Sequence, residues 1–390
     1  MRIAHCVEGY LPAIGGMVEV VRQLSERMVR SGHEVTVYTS HHADRTREVI
    51  NGVRIREFAL GGNAVRGIIG DPQPYLDSLI AGDHDVVVFF AAHQWATDLA
   101  FPHLSRIPGK KVFVPTGFSG LSSVGWKGYF AQMPGWMTAM DLNIFHSEGY
   151  QDVRFAEAHG ITKRILIPNG AAEEEFGAPT KGGLRASLGL RADQPLILHV
   201  GSYTGIKGHK EAMRIFLKAR TGDAALLFIG NGVSVLHRYF RTHWRLLLLR
   251  LLFLISGKKV FFREFDRTAT VEAMKQADLF LFPSQVECSP IVLFETMAAG
   301  VPFLASKAGN AEEIAQWSSG GWTIDSPRDD RALVHIDIGA ATDELGKRLS
   351  DRDLLKRTGA AGQAAWRERF TWRAIAERYV AAYEQLLVRP

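Results

Sequence analysis

The chain has little cysteine, and its opening residues do not predict a secretory leader. Cys6 and Cys288 are the two cysteines in 390 residues, and two isolated thiols supply neither a disulfide framework nor a zinc ligand set. We expect both to be reduced. Polar residues interrupt the opening segment, Met1–Glu8, too soon for the apolar stretch of a signal peptide. The sequence therefore predicts a cytoplasmic protein.

An excess of positive charge is also absent from most of the chain. Lys and Arg number 46 against 41 Asp and Glu, a formal net charge of +5. The segment from Gly232 to Arg263 contains seven cationic residues and no carboxylate. The cationic residues are Arg238, Arg241, Arg245, Arg250, Lys258, Lys259 and Arg263. Nucleic-acid binding usually needs a basic face across a domain. Because the positive charge is confined to one segment, the sequence predicts no nucleic-acid partner.

Residues 237–259 are both basic and rich in leucine. The ten positions from Leu246 to Ile255 contain nine apolar residues, about half of the ~20 that span a bilayer. The segment is therefore predicted to lie either in the interface of an anionic inner leaflet, as a peripheral contact, or on a sheet as a core helix with its arginines reaching outward.

The length and the alternation of apolar runs predict two α/β domains. One hydrophobic core rarely serves 390 residues. Strand-like runs alternate with helical stretches in residues 1–170, a linker follows Asn169-Gly170, and the alternation restarts in 185–370. Strands alternating with helices form parallel sheets covered on both faces. We predict two Rossmann-like domains facing across a cleft, with a last helix at about 372–390 packing back on the first.

The most informative motif is a pair of glutamates, Glu287 and Glu295. An apolar run, Asp278–Ser284, precedes them as a predicted buried strand, and a helix is predicted from Ile291 to Gly300. Turns after parallel strands face the ligand crevice, and helix-start amides hold anionic or hydroxyl-rich groups. Two carboxylates there suit a ligand with several hydroxyls. The alternative is a capping glutamate and a solvated helix glutamate.

Two other motif classes are disfavoured. The loop from Gly9 to Gly16 lacks Gly-x-Gly-x-x-Gly, and no acidic residue ends the second strand, which argues against a dinucleotide oxidoreductase. Asp83-His-Asp85 and Asp351-Arg-Asp353 spell Asp-x-Asp. The first precedes a strand and the second lies in a charged helical region, so we expect no metal site.

Further motifs occur in a specific order and spacing along the chain. They are Tyr10–Leu24, Gly32–Val37, Asp141–Glu148, Ile167–Gly170, Val200–Gly208, Asp278–Ser284, the glutamate pair, Glu295–Pro302, Gly309–Ile314 and Phe370–Trp372. Together they resemble the retaining glycosyltransferases of family 4, which have the GT-B fold, from residue 1 to about 387. Three departures occur: Cys288-Ser289 replaces a Phe-Gly pair, Ser202 replaces an arginine, and Val114–Phe118 lacks a histidine.

The resemblance implies a role for each matching residue. Glu287 would contact sugar hydroxyls and Glu295 the ribose, while Lys207 would neutralise phosphate at the other end of the ligand. Ser202 loses the bidentate fork of arginine, which Arg263 or Lys210 would have to replace. Glu287, Lys207 and His93 are the catalytic candidates, although His93 is equally a structural hydrogen bonder. The implied donor-binding residues are Gly15, Gly16, Gly201, Ser202, Lys207, Arg263, Glu287, Cys288, Ser289, Pro290, Ile291, Val292 and Glu295.

The implied function is transfer of a sugar, with retention, from a UDP-, GDP- or other nucleotide-diphospho-sugar to an acceptor hydroxyl. No metal or other cofactor is implied. The acceptor would be a lipid-linked or cell-surface glycan precursor bound by the first domain. A GT-B-fold nucleotide-sugar epimerase and a non-catalytic nucleotide-sugar-binding paralogue are the alternatives. The residues do not specify the sugar, the base or the acceptor.

Overall fold

A computed structural model of the chain describes residues 1–231, 257–329 and 333–388. Two compact units make up the chain: Met1–Asn169 with Trp372–Pro390, and Gly170–Thr371. Within the described ranges, none of the helices is long and apolar enough to span a membrane.

The Met1–Asn169 unit is built on an eight-stranded sheet. Its strands run in the order β10-β9-β8-β7-β1-β2-β4-β3 and are parallel except for β3, while β5 and β6 form a separate hairpin. Chain order reverses between β1 and β7, so this is the switch point of the sheet. The strands are β1 Arg2–Cys6, β2 Glu34–Ser40, β3 Val49–Ile50, β4 Val53–Phe58, β5 Gly61–Asn63, β6 Gly67–Ile69, β7 Val86–Phe90, β8 Lys110–Val114, β9 Leu142–Phe145 and β10 Arg164–Leu166.

Helices cover this sheet. They are α1 Gly16–Arg30, α2 Gln73–Ile80, α3 Trp95–Asp98, α4 Lys127–Ala139 and α5 Gln151–Ala158, with short 3₁₀ turns at Phe101–His103 and Val124–Trp126. The C-terminal helix, Trp372–Val388, packs against α1. Its Arg378 Nη2 donates to the Leu166 carbonyl at 2.6 Å. The last helix therefore belongs to the same unit as the start of the chain.

The Gly170–Thr371 unit has one six-stranded parallel sheet, ordered β13-β12-β11-β14-β15-β16. Chain order reverses between β11 and β14. The strands are β11 Leu196–Val200, β12 Ala225–Ile229, β13 Lys259–Arg263, β14 Leu279–Phe282, β15 Phe303–Ser306 and β16 Gly321–Ile324. The helices are α6 Glu173–Phe176, α7 Leu184–Ser187, α8 His209–Lys218, α9 Arg267–Gln276, α10 Ile291–Ala298, α11 Ala311–Ser318, α12 Ile338–Leu349 and α13 Arg352–Arg369.

The cores lie on both faces of these sheets. Every residue of β7 and of β14 is buried, because helices cover both faces and leave no position for a polar side chain. The prediction of two Rossmann-like units with parallel sheets is confirmed. The segment predicted as a linker contains α6, and its Phe176, 4% exposed, joins the core of the second unit.

Most of the basic, leucine-rich segment 237–259 lies outside the described residues, so its predicted membrane contact is not examined by the structure. Lys258 is described and is 9% exposed. Its ammonium donates to the carbonyls of Phe216, Leu217 and Ala219 at 2.8, 3.1 and 2.6 Å, at the end of α8. A cation there stabilises the helix C-terminus. Lys258 therefore does not belong to a membrane-facing charge cluster.

Candidate active site

The switch point of the Gly170–Thr371 unit brings two predicted loops to one sheet edge. β11 and β14 are parallel neighbours, so the loop after β11, Gly201–Gly208, and the loop after β14, Pro283–Pro290, leave at the same carboxyl edge. Doubly wound sheets bind ligands at this position because the two loops diverge and open a crevice. Lys207 lies in the first loop and Glu287 in the second.

Backbone contacts hold these two loops together. Gln285 N donates to the Ile206 carbonyl at 2.8 Å. Gly208 has φ +76°, and a Cβ at this position would lie 1.8 Å from the Pro283 carbonyl oxygen. Because no side chain fits there, the loops approach this closely only with glycine at position 208.

Lys207 and Glu287 form an ion pair. Lys207 Nζ lies 2.7 Å from Glu287 Oε1 and 2.9 Å from Oε2, and Ser284 Oγ donates to Oε1 at 2.7 Å. The side chains are 26% and 10% exposed, respectively. The two residues were expected at opposite ends of a ligand, yet the structure places them in direct contact. Glu287 therefore supplies the counter-charge of Lys207.

Glu295 also has a cationic partner, which sequence reasoning missed. Glu295 lies within α10 and is 6% exposed. Its Oε1 is 2.6 Å from Arg267 Nη2, and the same nitrogen is 2.5 Å from Glu175 Oε2. Although burial alone would lower the pKa of Arg267, the adjacent Glu295 and Glu175 raise it above its ordinary value. The available signal was an Asp266-Arg267 helix start just after β13, at the same sheet edge as Glu287.

The turn between the glutamates is fixed before α10 begins. Asn310 N donates to the Cys288 carbonyl at 2.9 Å. Gly309 has φ +61°, and a Cβ there would lie 2.3 Å from the Cys288 oxygen. Pro290 precedes the helix without a side-chain cap. Leu293 N donates to the Pro290 carbonyl at 3.1 Å. The two amides before it, those of Ile291 and Val292, have no acceptor within the helix and suit an anionic group.

Two histidines lie beneath the β11 loop. His209 Nε2 donates to the Gly201 carbonyl at 3.2 Å, and the His199 ring packs edge-on against His209 with centroids 4.4 Å apart. Burial lowers the pKa of His209 to about 4 and that of His199 to about 3. Both rings are therefore neutral near pH 7.

The replacement cations suggested by the sequence lie elsewhere on this edge. Arg263 ends β13, two strands from β11, and its Nη1 donates to the Phe262 carbonyl at 2.9 Å. Ser202 and Lys210 are exposed. Lys207 contacts Glu287 and Arg267 contacts Glu295.

The loop after β1 in the Met1–Asn169 unit leads to an exposed helix start. Gly15 has an extended backbone, with φ 170°, and α1 begins at Gly16. Arg45, whose side chain is 2% exposed, holds the loop: Nε donates to Leu11 O at 2.6 Å and Nη2 to Tyr10 O at 2.9 Å. Sequence reasoning missed Arg45, which lies outside the glycine loop.

His93 follows β7 at the switch point of the same unit. Its ring packs beside those of Trp126, Tyr129 and Phe130, with centroid distances of 4.1, 5.4 and 5.4 Å. Its φ of +67° is rare for a residue with a Cβ. Burial, and to a smaller extent the positive charge of Arg66, lower its pKa to about 4. Its buried Nε2 has no hydrogen-bond partner among the described residues, which does not fit the structural hydrogen bonder offered as the alternative. The catalytic role of His93 stays a prediction.

No group of three or more His, Cys, Asp or Glu is placed to hold a metal within the described ranges. Asp83 and Asp85 both pair with Arg2, and Asp351 caps α13 by accepting from Leu354 N at 2.8 Å. Asp83, Asp85 and Asp351 therefore serve structural roles. Metal independence remains a prediction.

Two family models match the chain, one over each unit. The model described as Glycosyltransferase Family 4 matches residues 14–174. The model described as Glycosyl transferases group 1 matches residues 181–352, which include both loops of the β11/β14 edge. The chain is a GT-B glycosyltransferase of family 4. The second match contains Lys207, Glu287 and Glu295. The segment that identifies the enzyme class therefore also contains the candidate site.

Similarity extends over nearly the whole enzyme. N-acetyl-alpha-D-glucosaminyl L-malate synthase of Bacillus anthracis is 22% identical over 397 residues, covering 96% of this chain and 95% of that protein. The GDP-mannose-dependent alpha-(1-6)-phosphatidylinositol monomannoside mannosyltransferase of Mycolicibacterium smegmatis is 26% identical, covering 79% of each. The solved structure of Anabaena HepE in complex with UDP-glucose has a TM-score of 0.69 at 16% identity, covering 99% of this chain and 100% of that chain.

Proposed function

We propose that this glycosyltransferase takes its sugar from a nucleotide-diphospho-sugar bound at the β11/β14 edge of the Gly170–Thr371 unit. The observation that carries the proposal is the meeting of Lys207 and Glu287 across the switch point at 2.7 Å. An ammonium and a carboxylate adjoining uncapped helix-start amides offer both charges that a sugar diphosphate needs. The UDP-glucose complex of HepE, a protein of the same fold, supports a donor of this class.

Each residue of the pair takes one part of the donor. The diphosphate, as a second anion, draws the ammonium of Lys207 from Glu287, and the first-turn amides of α10 share the phosphate charge. Glu287, released from the lysine, accepts hydrogen bonds from sugar hydroxyls. Glu295 accepts from the ribose. The flexible stem of lysine permits this exchange without movement of the backbone.

Transfer proceeds with retention of the anomeric configuration. The bond between the anomeric carbon and the phosphate oxygen breaks, and the acceptor oxygen forms its bond on the same face. The departing phosphate oxygen takes the acceptor's proton, so the protein needs no dedicated base. Its contribution is positioning of the reactants and stabilisation of the charge on the diphosphate. Family membership supports this stereochemistry, and no metal is required by it.

The acceptor is proposed to be a lipid-linked or cell-surface glycan precursor, bound by the Met1–Asn169 unit. The similarity to a mannosyltransferase named for a phosphatidylinositol monomannoside acceptor supports this choice. The basic composition of residues 237–259 agrees with an acceptor presented at an anionic inner leaflet.

A donor panel tests the proposal. UDP- and GDP-sugars are screened by thermal shift, and the stabilising donor is then incubated with and without lipid-extract acceptors while nucleoside diphosphate release and sugar transfer are measured. Glu287→Gln should abolish transfer with the fold retained. Glu344→Gln, on the surface of α12 and 34% exposed, should leave transfer unchanged.

Full transfer by Glu287→Gln would overturn the assignment of that glutamate. Epimerisation of the donor sugar without any transfer would favour the epimerase alternative. The absence of stabilisation by every donor would reject the donor class itself.

A further inference from the structure

Arg267 occupies a fixed position at the start of α9. It is the first residue of that helix, directly after Asp266, whose Oδ1 accepts from Ala269 N at 2.7 Å. This cap sets the direction in which the Arg267 side chain leaves the backbone. The guanidinium lies 5.9 Å from the centroid of the buried Phe176 ring, which adds a cation–π contact.

The guanidinium joins two carboxylates from distant parts of the sequence. Nε lies 3.1 and 3.2 Å from the two carboxylate oxygens of Glu175, and Nη2 lies 2.5 Å from Glu175 Oε2. Nη2 also lies 2.6 Å from Glu295 Oε1. Glu175 therefore fixes one edge of the planar guanidinium, and the remaining contact is directed at Glu295.

The segment that carries Glu175 is itself anchored. Lys275, from the other end of α9, donates to the Glu175 carbonyl at 2.8 Å and to the Ala178 carbonyl at 2.9 Å. Both ends of α9 thus hold the segment around α6. The Arg267 guanidinium cannot rotate away from Glu295 without breaking its contacts with Glu175.

We infer that Arg267 is a positioning residue for Glu295, keeping that carboxylate charged and oriented toward the nucleotide ribose. The side chain of Glu295 is 8% exposed, and a carboxylate at that depth is stable as an anion only with a partner charge or several hydrogen bonds. A protonated Glu295 would be a poorer acceptor for ribose hydroxyls. The inference rests on the proposed ribose contact of Glu295.

The test compares ribose recognition with overall nucleotide affinity. Dissociation constants of UDP and GDP, and of their 2′,3′-dideoxy counterparts, are measured by calorimetry for the full chain. Wild type should prefer the ribonucleotide roughly tenfold or more, since hydrogen bonds to a charged group are lost in the dideoxy form. Arg267→Gln and Glu295→Gln should both reduce that preference to about threefold or less. A purely structural role would weaken both ligands equally and leave the ratio unchanged.

Arg191→Gln is the matched control. Arg191 also joins two carboxylates, with Nη2 2.6 Å from Asp223 and Nε 3.2 Å from Asp193, but its side chain is 63% exposed. It should keep the wild-type ratio. Arg267→Lys should give an intermediate ratio because lysine lacks the planar fork.

Three outcomes separate the claims. The inference is overturned if Glu295→Gln loses the preference for the ribonucleotide but Arg267→Gln keeps the wild-type ratio of dissociation constants. If Arg267→Gln does not fold, Arg267→Lys takes its place in this comparison. A wild-type ratio in Glu295→Gln overturns the ribose contact itself. No binding of UDP or GDP to wild type rejects the proposed donor site.

Discussion

Removing the ammonium of Lys207 should destabilise the Gly170–Thr371 unit more than neutralising Glu287. Glu287 is 10% exposed, and loss of one partner from a buried ion pair costs about 3–5 kcal/mol. Ser284 continues to donate to Oε1, and the lysine side of the pair is 26% exposed. We therefore expect Lys207→Met to lower the free energy of unfolding by about 2–3 kcal/mol, at or below the low end of that range.

The converse change should be milder. In Glu287→Gln the amide oxygen still accepts from Ser284, and water can hydrate the ammonium of Lys207, so we expect a cost of about 1 kcal/mol. The double variant should be more stable than Lys207→Met, because it no longer contains a stranded carboxylate. The coupling energy of the pair is the amount by which the cost of the double variant falls short of the sum of the two single costs.

Thermal unfolding followed by circular dichroism measures these effects. A cost of 2–3 kcal/mol should lower the melting temperature by about 4–12 °C for a unit of this size. Lys347, which is 67% exposed and lies 3.8 Å from Glu344, is the matched control, and Lys347→Met should change stability by less than about 1 kcal/mol. The reasoning is refuted if Lys207→Met has the melting temperature of wild type. It is also refuted if the double variant loses as much stability as the two single variants together.

Two further predictions concern the loop Gly201–Gly208 and the first residue of the helix that follows it. Gly208→Ala should cost more than about 2 kcal/mol and abolish nucleotide binding, because its Cβ would lie 1.8 Å from the Pro283 carbonyl oxygen. Gly205→Ala, with φ +89° but open space, should cost about 1 kcal/mol; equal costs in urea unfolding would contradict the packing argument. Because the pKa of His209 is lowered to about 4, the unfolded state binds more protons, so stability is fully present above about pH 6.5 and falls toward pH 4. Between pH 7 and 5 this histidine should account for a loss of about 2 kcal/mol, and an unchanged pH dependence in His209→Asn would contradict its assigned burial.

Local pattern was enough to predict the elements that carry the site. The apolar run Asp278–Ser284 predicted a strand, and the structure has β14 at Leu279–Phe282. The helix predicted to begin at Ile291 begins there. These predictions succeed because a strand buried on both faces needs a continuous apolar run and because proline limits where a helix can start.

The contacts among the site residues could not be predicted in the same way. Lys207 and Glu287 are 80 residues apart in sequence, and they meet only because β11 and β14 are neighbours at the switch point. Arg267 and Glu175, 92 residues apart, meet because α6 packs into the unit, where a linker was predicted. Pairings of this kind depend on sheet order and helix packing, which no local pattern records.

The surroundings of His93 could not be predicted from the sequence either. The sequence places a histidine after a buried strand, which is a common position for a functional side chain. The aromatic rings that surround it come from residues 126–130, and their proximity follows from the fold. The lowered pKa of His93 could therefore be derived only from the three-dimensional structure.

A crystal structure of the enzyme with bound UDP or GDP tests the central claim most directly. The account predicts the diphosphate beside Lys207 and the first-turn amides of α10, with the ribose hydroxyls at Glu295 and the Lys207–Glu287 ion pair broken. A nucleotide bound away from the β11/β14 edge, with the ion pair intact, would contradict it.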